Sequence, residues 1–192
     1  KIGQTSGSQI NCLSGVGKIL GNTNDSLWSM SNGYALCSSE GLSKINDHLQ
    51  SLGELEKDQL RQSLRIGLHS EIEVTDNNAP KDQLISQAFC SALPVAYSNS
   101  PAFQWESFAN LILEGAYEAT LCAAVINARR YGANQLFLTQ LGGGAFGNEP
   151  SWIYNAMARA FSLYRDFDLD IKIVSYGSID PELDKFVEEW DE

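Results

Sequence analysis

The segment with the clearest chemical character is rich in glycine. Residues 138–150 read LTQLGGGAFGNEP, with four glycines among the six residues 142–147. Glycine costs about 0.5–1 kcal/mol relative to alanine inside a helix or strand, so this run indicates that something approaches the backbone closely. Without Cβ atoms, these N–H groups can converge on phosphate oxygens, aided by the positive end of a helix starting near Pro150. The alternative is a tight turn packed beneath that helix.

Known phosphate-binding patterns limit the chemistry of this segment. It contains no lysine and lacks the spacing G-x-x-x-x-G-K-S/T, which disfavours γ-phosphoryl transfer. The dinucleotide pattern G-x-G-x-x-G can be placed on Gly142, Gly144 and Gly147. However, the next predicted strand ends in Ser175 and Tyr176, and no acidic residue lies at the expected distance. The pattern therefore favours another class of phosphate-bearing ligand.

Three carboxylates are candidates for acid–base chemistry. Glu71, Glu73 and Asp76 lie just ahead of the first strongly apolar run. In an apolar pocket, one of them could have its pKa raised into a range useful for a general acid or base. The alternative is a solvated acidic loop over residues 71–81. Glu118 lies on an otherwise apolar helix, where we expect a structural hydrogen bond.

The histidines and cysteines predict neither a metal site nor a disulfide network. No two cysteines form C-x-x-C, and no histidine has a persuasive partner at ligand spacing. The residues concerned are His48, His69, Cys12, Cys37, Cys90 and Cys122. We expect Cys90 and Cys122, which lie in apolar runs, to be buried free thiols, in keeping with a reducing compartment. No cofactor is predicted.

The charge balance restricts the partners. The 192 residues include 24 acidic and 13 basic side chains, for a net charge of -11, which opposes binding to nucleic acid or an anionic membrane. No run approaches the roughly 18 apolar residues of a membrane span, and residues 1–8 lack a signal-peptide core, so a cytoplasmic location is expected. The chain opens on Lys1, not Met, which indicates trimming or processing and leaves room for further sequence upstream.

Strands and helices alternate in the second half of the predicted structure. We predict strands over residues 87–95, 135–141 and 169–176, and helices over 39–52, 54–68, 105–131, 150–164 and 180–190. The first 33 residues are predicted to be loops, with a short strand over 9–13. Strand–helix–strand repeats form right-handed parallel crossovers, and such sheets bind ligands at the carboxyl ends of their strands. Residues 142–148 lie at such an end, within what the length predicts to be one domain.

Several motifs together carry a family resemblance. In chain order they are ALPVAY, YEATLCAAVINARRYG, QLFLT, LGGGAFGN and IKIVSYG, which lie in the stretch that begins at residue 87, the last of them running over residues 171–177. This stretch resembles the second half of a macrodomain. More narrowly, GAYEATL with LGGGAFGN is similar to divergent macrodomain-like ADP-ribose hydrolases among bacterial effector proteins, including those that act on modified ubiquitin. The resemblance implies an α/β fold: a three-layer α/β/α domain with a mixed, largely parallel sheet. Residues 1–80 would be its loop-rich and helical part, and 81–192 its ligand-binding part.

The resemblance also implies specific ligand contacts. The amides of residues 143–147 would bind the diphosphate of ADP-ribose, Phe146 would lie against the distal ribose, and Tyr176 would stack on adenine. Such a stack adds on the order of 1 kcal/mol. The alternative for both aromatic residues is a packing role. The complete expected ligand set is Gly142, Gly143, Gly144, Ala145, Phe146, Gly147, Asn148 and Tyr176.

The implied function is removal of ADP-ribose from a modified protein, in the cytosol or in a host cytosol after secretion. Glu71, Glu73 or Asp76 would act as the acid or base near an oxocarbenium-like transition state. The sequence departs from the family in lacking an Asn-Ala-Ala-Asn motif and an early Asp; residues 10–17, INCLSGVG, are the nearest candidate for a second ligand loop. The alternatives are a non-catalytic ADP-ribose reader, an unrelated nucleotide-binding domain, or a scaffold.

Overall fold

The protein has a mixed α/β structure in which helices predominate. A computed structural model describes residues 5, 8–76 and 78–191. Helices account for 50% of it and strands for 18%, so helix packing forms most of the core. The helices are α1 (Ser14–Leu20), α2 (Ser39–Ser51), α3 (Glu54–Ser63), α4 (Ala102–Tyr131), α5 (Pro150–Tyr164) and α6 (Pro181–Asp191). The strands are β1 (Trp28–Ser31), β2 (Tyr34–Cys37), β3 (Gly67–Glu73), β4 (Leu84–Phe89), β5 (Gln135–Thr139) and β6 (Asp170–Val174).

The strands form three separate pairs. β1–β2 and β3–β4 are antiparallel hairpins, whereas β5 and β6 are parallel and are connected through α5. The β5–α5–β6 crossover confirms the strand–helix–strand prediction for this part of the chain. Over the described residues there is no large central parallel sheet, so the sheet expected from the family resemblance is not present.

The predicted strand over residues 87–95 accounts for most of this difference. The strand β4 ends at Phe89, pairs antiparallel with β3, and is exposed along its whole length. Residues 90–94 are irregular, and a 3-10 turn follows at Val95–Tyr97. The apolar character of residues 92, 93 and 95 reflects burial of an irregular segment against the core. A short apolar run predicts burial, but it does not by itself specify a strand.

The N-terminal third is more regular than predicted. The expected short strand over residues 9–13 is absent, and most of INCLSGVG lies in or next to α1, so it does not form a second ligand loop. The strands β1 and β2 are joined by Asn32 and Gly33, both with positive φ (49° and 86°). An Asn-Gly pair at positive φ is a strong signal for a two-residue hairpin. This signal was present in the sequence, and the prediction of loops there was wrong.

The helix α4 is the centre of the core. At 1.5 Å per residue, its 30 residues extend about 45 Å. Trp105, Phe108, Leu113 and Leu121 are fully buried on it, and α2, α3 and α5 pack around it. It is also long and apolar enough to cross a bilayer by length and composition alone, but just over half of its most apolar stretch is buried inside the protein.

An ion-pair cluster connects three helices. Arg61 on α3 is 8% exposed and contacts Glu114 (2.7 Å) and Asp58 (2.6 Å). Arg159 on α5 contacts Asp58 (2.6 Å) and Glu118 (2.9 Å). Burial alone would lower the pKa of Arg61, but its hydrogen bonds and charge interactions with Glu114 and Asp58 outweigh burial and raise it. Glu118 therefore has the structural role expected from the sequence.

The cysteines differ in part from expectation. Cys122 is exposed, so the prediction of a buried thiol there was wrong; its thiol lies beside the Tyr164 hydroxyl at the end of α5. Cys90 is half-buried, and its Sγ lies 3.8 Å from Thr120 Oγ1. Burial raises the pKa of Cys90 and keeps its thiol neutral.

Candidate functional site

The glycine turn, residues 142–148, connects the carboxyl end of β5 to the start of α5. The Tyr117 side chain on α4 fixes the end of that strand: its hydroxyl donates to the Thr139 carbonyl (2.8 Å) and accepts from the Leu141 amide (2.9 Å). Tyr117 is 3% exposed, and burial raises its pKa, so the hydroxyl stays protonated. The turn thus begins at an anchored point, at the place where parallel sheets bind ligands.

Two of the four glycines are required by the fold itself. Gly142 and Gly147 have φ of 78° and 66°, in the left-handed region that favours glycine. A Cβ at Gly142 would collide with the Cβ of Ala92, and one at Gly147 would lie 2.9 Å from the Cβ of Ala96. The turn is therefore pressed against the irregular segment that follows β4. This contact supports the alternative of a tightly packed turn for these two positions.

Asn148 clamps the turn from within. Its side chain is 2% exposed, and Nδ2 donates to the Leu93 carbonyl (2.9 Å) and to the Gly142 carbonyl (3.3 Å). Its backbone amide also donates to the Gly142 carbonyl (3.0 Å). Asn148 is thus a buried structural residue that joins the two ends of the turn to residue 93.

The middle of the turn has unused hydrogen-bond donors. The amides of Gly143 and Gly147 are bonded within the turn, to the carbonyls of Gln140 (3.2 Å) and Gly144 (3.1 Å). The amides of Gly144, Ala145 and Phe146 donate to no acceptor in the described part of the protein. Gly144 and Ala145 are exposed, and a Cβ at Gly144 would meet nothing within 4 Å. Three successive donors of this kind can bind an anion.

Phe146 belongs to an aromatic cluster that sequence reasoning missed. Its ring packs edge-to-face on Tyr34 (5.6 Å between centroids) and Tyr97 (5.5 Å). Tyr34 and Tyr97 also contact each other at 5.6 Å and are 37% and 52% exposed. The Phe146 carbonyl accepts from the Ala96 amide at 2.9 Å. Phe146 is therefore held in place by packing, with exposed tyrosine rings beside it.

Tyr176 lies outside this arrangement. β6 ends at Val174, and Tyr176 is fully exposed in the segment that follows. It is thus not the core residue at a strand end that was its alternative. It has no ring contact with the turn in the described structure, and adenine stacking at Tyr176 stays a prediction.

The three predicted carboxylates lie on and after β3. Ser86 connects the strand β3 to α4: its Oγ accepts from the Glu71 amide (3.3 Å) and donates to Asn127 Oδ1 (2.7 Å). Asn127 is ten residues beyond Tyr117 on α4, which at 1.5 Å per residue places it about 15 Å away along the axis. Because Tyr117 contacts Leu141, Glu71 is far from the glycine turn.

Glu73 and Asp76 lie still closer to the tip of the β3–β4 hairpin. Glu73 pairs with Leu84 at the last register position, and both carboxylate residues are exposed. Following the β3–β4 hairpin along the chain, contact with the glycine turn begins beyond Phe89, where Ala92 and Ala96 pack against it. The structure therefore does not bring Glu71, Glu73 or Asp76 to the turn. Their catalytic role stays a prediction.

Other carboxylates lie nearer. The Tyr154 hydroxyl donates to Gln140 Oε1 (3.3 Å), and the Gln140 carbonyl accepts from Gly143. Burial raises the pKa of Tyr154, and the negative charges of Asp180 and Glu182 raise it further. The Tyr154 ring also stacks on Phe186 of α6 at 5.2 Å between centroids, so the helix that these carboxylates begin packs on this side chain. Their position after the last strand gave no motif that would have identified them from sequence.

Comparisons with protein-family models, curated proteins and solved structures found no match to this chain.

Proposed function

We propose that the protein binds ADP-ribose through the glycine turn, with the diphosphate on the amides of Gly144, Ala145 and Phe146. The observation that carries this proposal is the presence, at the carboxyl end of β5, of three successive amides that have no acceptor among the described residues. They precede the N-terminus of α5, whose dipole favours a nearby anion. The β5–α5–β6 crossover is the part of the fold that supports the likeness to a macrodomain.

The packing of the glycines distinguishes a ligand site from a simple turn. A tightly packed turn accounts for Gly142 and Gly147, because positive φ and close neighbours exclude other residues there. It does not account for Gly144, which has open space around it and does not have a positive φ. A ligand lying against the backbone at Gly144 would explain why this position has no side chain. The exposed tyrosines of the aromatic cluster offer apolar surface for a sugar or base next to these amides.

A substitution at Gly144 tests the proposal without disturbing the fold. Gly144→Val adds a side chain where the structure has room, so the circular dichroism spectrum and Tm should match those of the wild type. The valine should cover the free amides and abolish ADP-ribose binding in calorimetric titration. Gly53→Val is the matched control, because Gly53, the N-cap of α3, is also exposed, has φ of -77°, and a Cβ there would meet only Glu56 Oε2 at 3.6 Å, an ordinary contact. Unchanged ADP-ribose affinity in Gly144→Val would remove the glycine turn as the binding site.

We further propose that the bound ADP-ribose is released from a modified protein by hydrolysis. Cleavage through an oxocarbenium-like state needs a carboxylate or a positioned water near the distal ribose. Asp180 and Glu182 are better candidates than Glu71, Glu73 and Asp76, because they stand at the start of α6, which packs on Tyr154, and the Tyr154 hydroxyl donates to Gln140 just before the turn.

Two sets of variants distinguish the carboxylates, with ADP-ribosylated ubiquitin as the substrate. One set combines Asp180→Asn and Glu182→Gln; the other combines Glu71→Gln, Glu73→Gln and Asp76→Asn. Asp180 Oδ1 accepts from the Glu182 amide (2.9 Å) at the start of α6, and asparagine preserves that cap. We expect the first set to lose ADP-ribose release and the second to retain it. The opposite result would assign the acid or base to Glu71, Glu73 or Asp76.

The second candidate function is a non-catalytic ADP-ribose reader. This function is favoured by the distance between Glu71 and the glycine turn, because a reader needs no carboxylate at the ligand. Glu71 is connected to α4 at Asn127 and the turn at Tyr117, about 15 Å apart along the helix. A reader would bind ADP-ribose with the same dependence on Gly144, yet leave modified ubiquitin intact after prolonged incubation. In both functions the proposed partner is an ADP-ribosylated protein in the cytosol.

A further inference from the structure

A second concave site lies on the other side of the irregular segment that follows β4. This cavity has a volume of about 360 Å³, within the range of small-molecule sites. Its walls come from the chain before α1, from the hairpin β1–β2, from α4 and from residues 88–94. The main apolar side chains are Leu13, Met30, Tyr34, Leu64, Phe89 and Ile112. None of the residues 142–148 lines it; Tyr34 is the residue that the cavity shares with the aromatic cluster beside the glycine turn.

Among the residues that the structure describes, Arg65 is the only charged one that lines this cavity. Its backbone amide donates to the Cys12 carbonyl (3.1 Å), which fixes the residue at the rim. In the described chain its guanidinium has no carboxylate within 4 Å and no hydrogen bond, although acidic residues outnumber basic ones by 24 to 13. Arg61 and Arg159, by contrast, each contact two or more carboxylates. Arg65 is exposed, so it stands at the mouth of an apolar cavity with its charge unbalanced.

The Cys90 thiol supplies no balancing negative charge. Cys90 lines the cavity, and burial raises its pKa, so it is neutral at pH 7. The remaining walls are apolar or uncharged. A ligand that suits the site therefore has an apolar body for the interior and one negative charge for Arg65.

We propose that this cavity binds a small monocarboxylate with an apolar body. One guanidinium matches one carboxylate in a bidentate geometry, whereas a phosphate would bring a second charge that nothing in the lining balances. The cavity volume of about 360 Å³ is near the lower end for small-molecule sites, which limits the ligand to about one ring with a short chain. A phenyl-substituted short-chain acid has this size.

The first test compares ligands that differ only in charge or in length. The probe is 4-phenylbutyrate, which has the expected size; the comparisons are its neutral amide and butyrate, which lacks the ring. Calorimetric titration should show that the carboxylate binds about fivefold more tightly than the amide, as expected for an ion pair at an exposed arginine. Butyrate should bind more weakly than either, because it leaves the apolar interior empty. Equal affinities of 4-phenylbutyrate and its amide would overturn the role of Arg65.

The second test uses variants of the protein. Arg65→Gln should remove the preference for the carboxylate over the amide while leaving the amide affinity unchanged. Arg165→Gln is the matched control, because Arg165, at the end of α5, also has no ion pair in the described chain and lies outside the cavity. A preference that persists in Arg65→Gln would contradict the proposal.

The third test locates the ligand through the free cysteines. Cys12 and Cys90 line the cavity, whereas Cys122 is exposed on α4 outside it. Bound 4-phenylbutyrate should slow alkylation of Cys12 and Cys90 by iodoacetamide several-fold and leave Cys122 unaffected, as measured by mass spectrometry of the peptides. Binding that protects none of the three, or all three equally, would show that the acid binds elsewhere and would overturn the assignment.

Discussion

Replacing Asn148, whose side chain joins the glycine turn to residue 93, by aspartate should make the stability of the protein depend on pH. The Asn148 side chain is 2% exposed, and its Nδ2 faces two carbonyl oxygens, those of Leu93 and Gly142. Asn148→Asp keeps the size but turns the donor into a third acceptor. An unpaired buried charge costs about 3–5 kcal/mol, and we expect a loss of that size at pH 7. Asn148→Ala, which loses the hydrogen bonds without adding charge, should cost about 1–2 kcal/mol.

The pH dependence gives the sharper test. Burial against two carbonyls should raise the folded-state pKa of the new carboxyl above its ordinary value of about 3.9. Below its unfolded-state pKa the new carboxyl is protonated in both states and destabilises the protein least. The loss of stability grows as the pH rises toward the folded-state pKa and is complete above that value. The free energy of unfolding should be measured in urea at pH 4 and pH 7 for wild type, Asn148→Asp and Asn148→Ala. If the aspartate variant matches the alanine variant at both pH values, the buried clamp is refuted.

Three further predictions concern the fold around the site. Gly142→Ala should lower the free energy of unfolding by about 2 kcal/mol or more, because it forces alanine into φ of 78° against Ala92. Thermal unfolding should show a Tm lowered by about 5 °C, and an unchanged Tm would contradict the packed turn. Tyr117→Phe should cost about 2 kcal/mol in urea unfolding through two lost hydrogen bonds, and a neutral effect would argue against them. Burial raises the pKa of Cys37 to about 12, so at pH 8 iodoacetamide should label exposed Cys122 well before Cys37, as read by mass spectrometry; the reverse order would contradict this burial.

The second half of the fold was the more predictable. α4, α5, β5 and β6 have long apolar periodicity or clear turn residues, and each lies within a few residues of its predicted position. The right-handed crossover rule then placed the glycine turn at the carboxyl end of a parallel strand, which the pairing of β5 with β6 confirms. Local signals were sufficient here because these elements are consecutive in the chain.

The partners of the turn could not be predicted, because they come from distant positions. Tyr34 and Tyr97 contact Phe146 only after three separate segments have packed, and no local pattern connects them. Arg159 and Asp58 likewise meet across two helices. The acidic segment at Glu71 was misleading for a different reason: alternation along β3 is weak, and its pairing with β4 depends on a hairpin whose two strands are largely exposed.

The open space around Gly144 has a consequence for natural variation. Substitutions at Gly142 and Gly147 are restricted by the conformation and packing of the chain, whatever the protein binds. At Gly144 the structure accommodates other small residues without strain. The range of residues that natural homologues tolerate at this one position would therefore report selection on the ligand, separated from selection on folding.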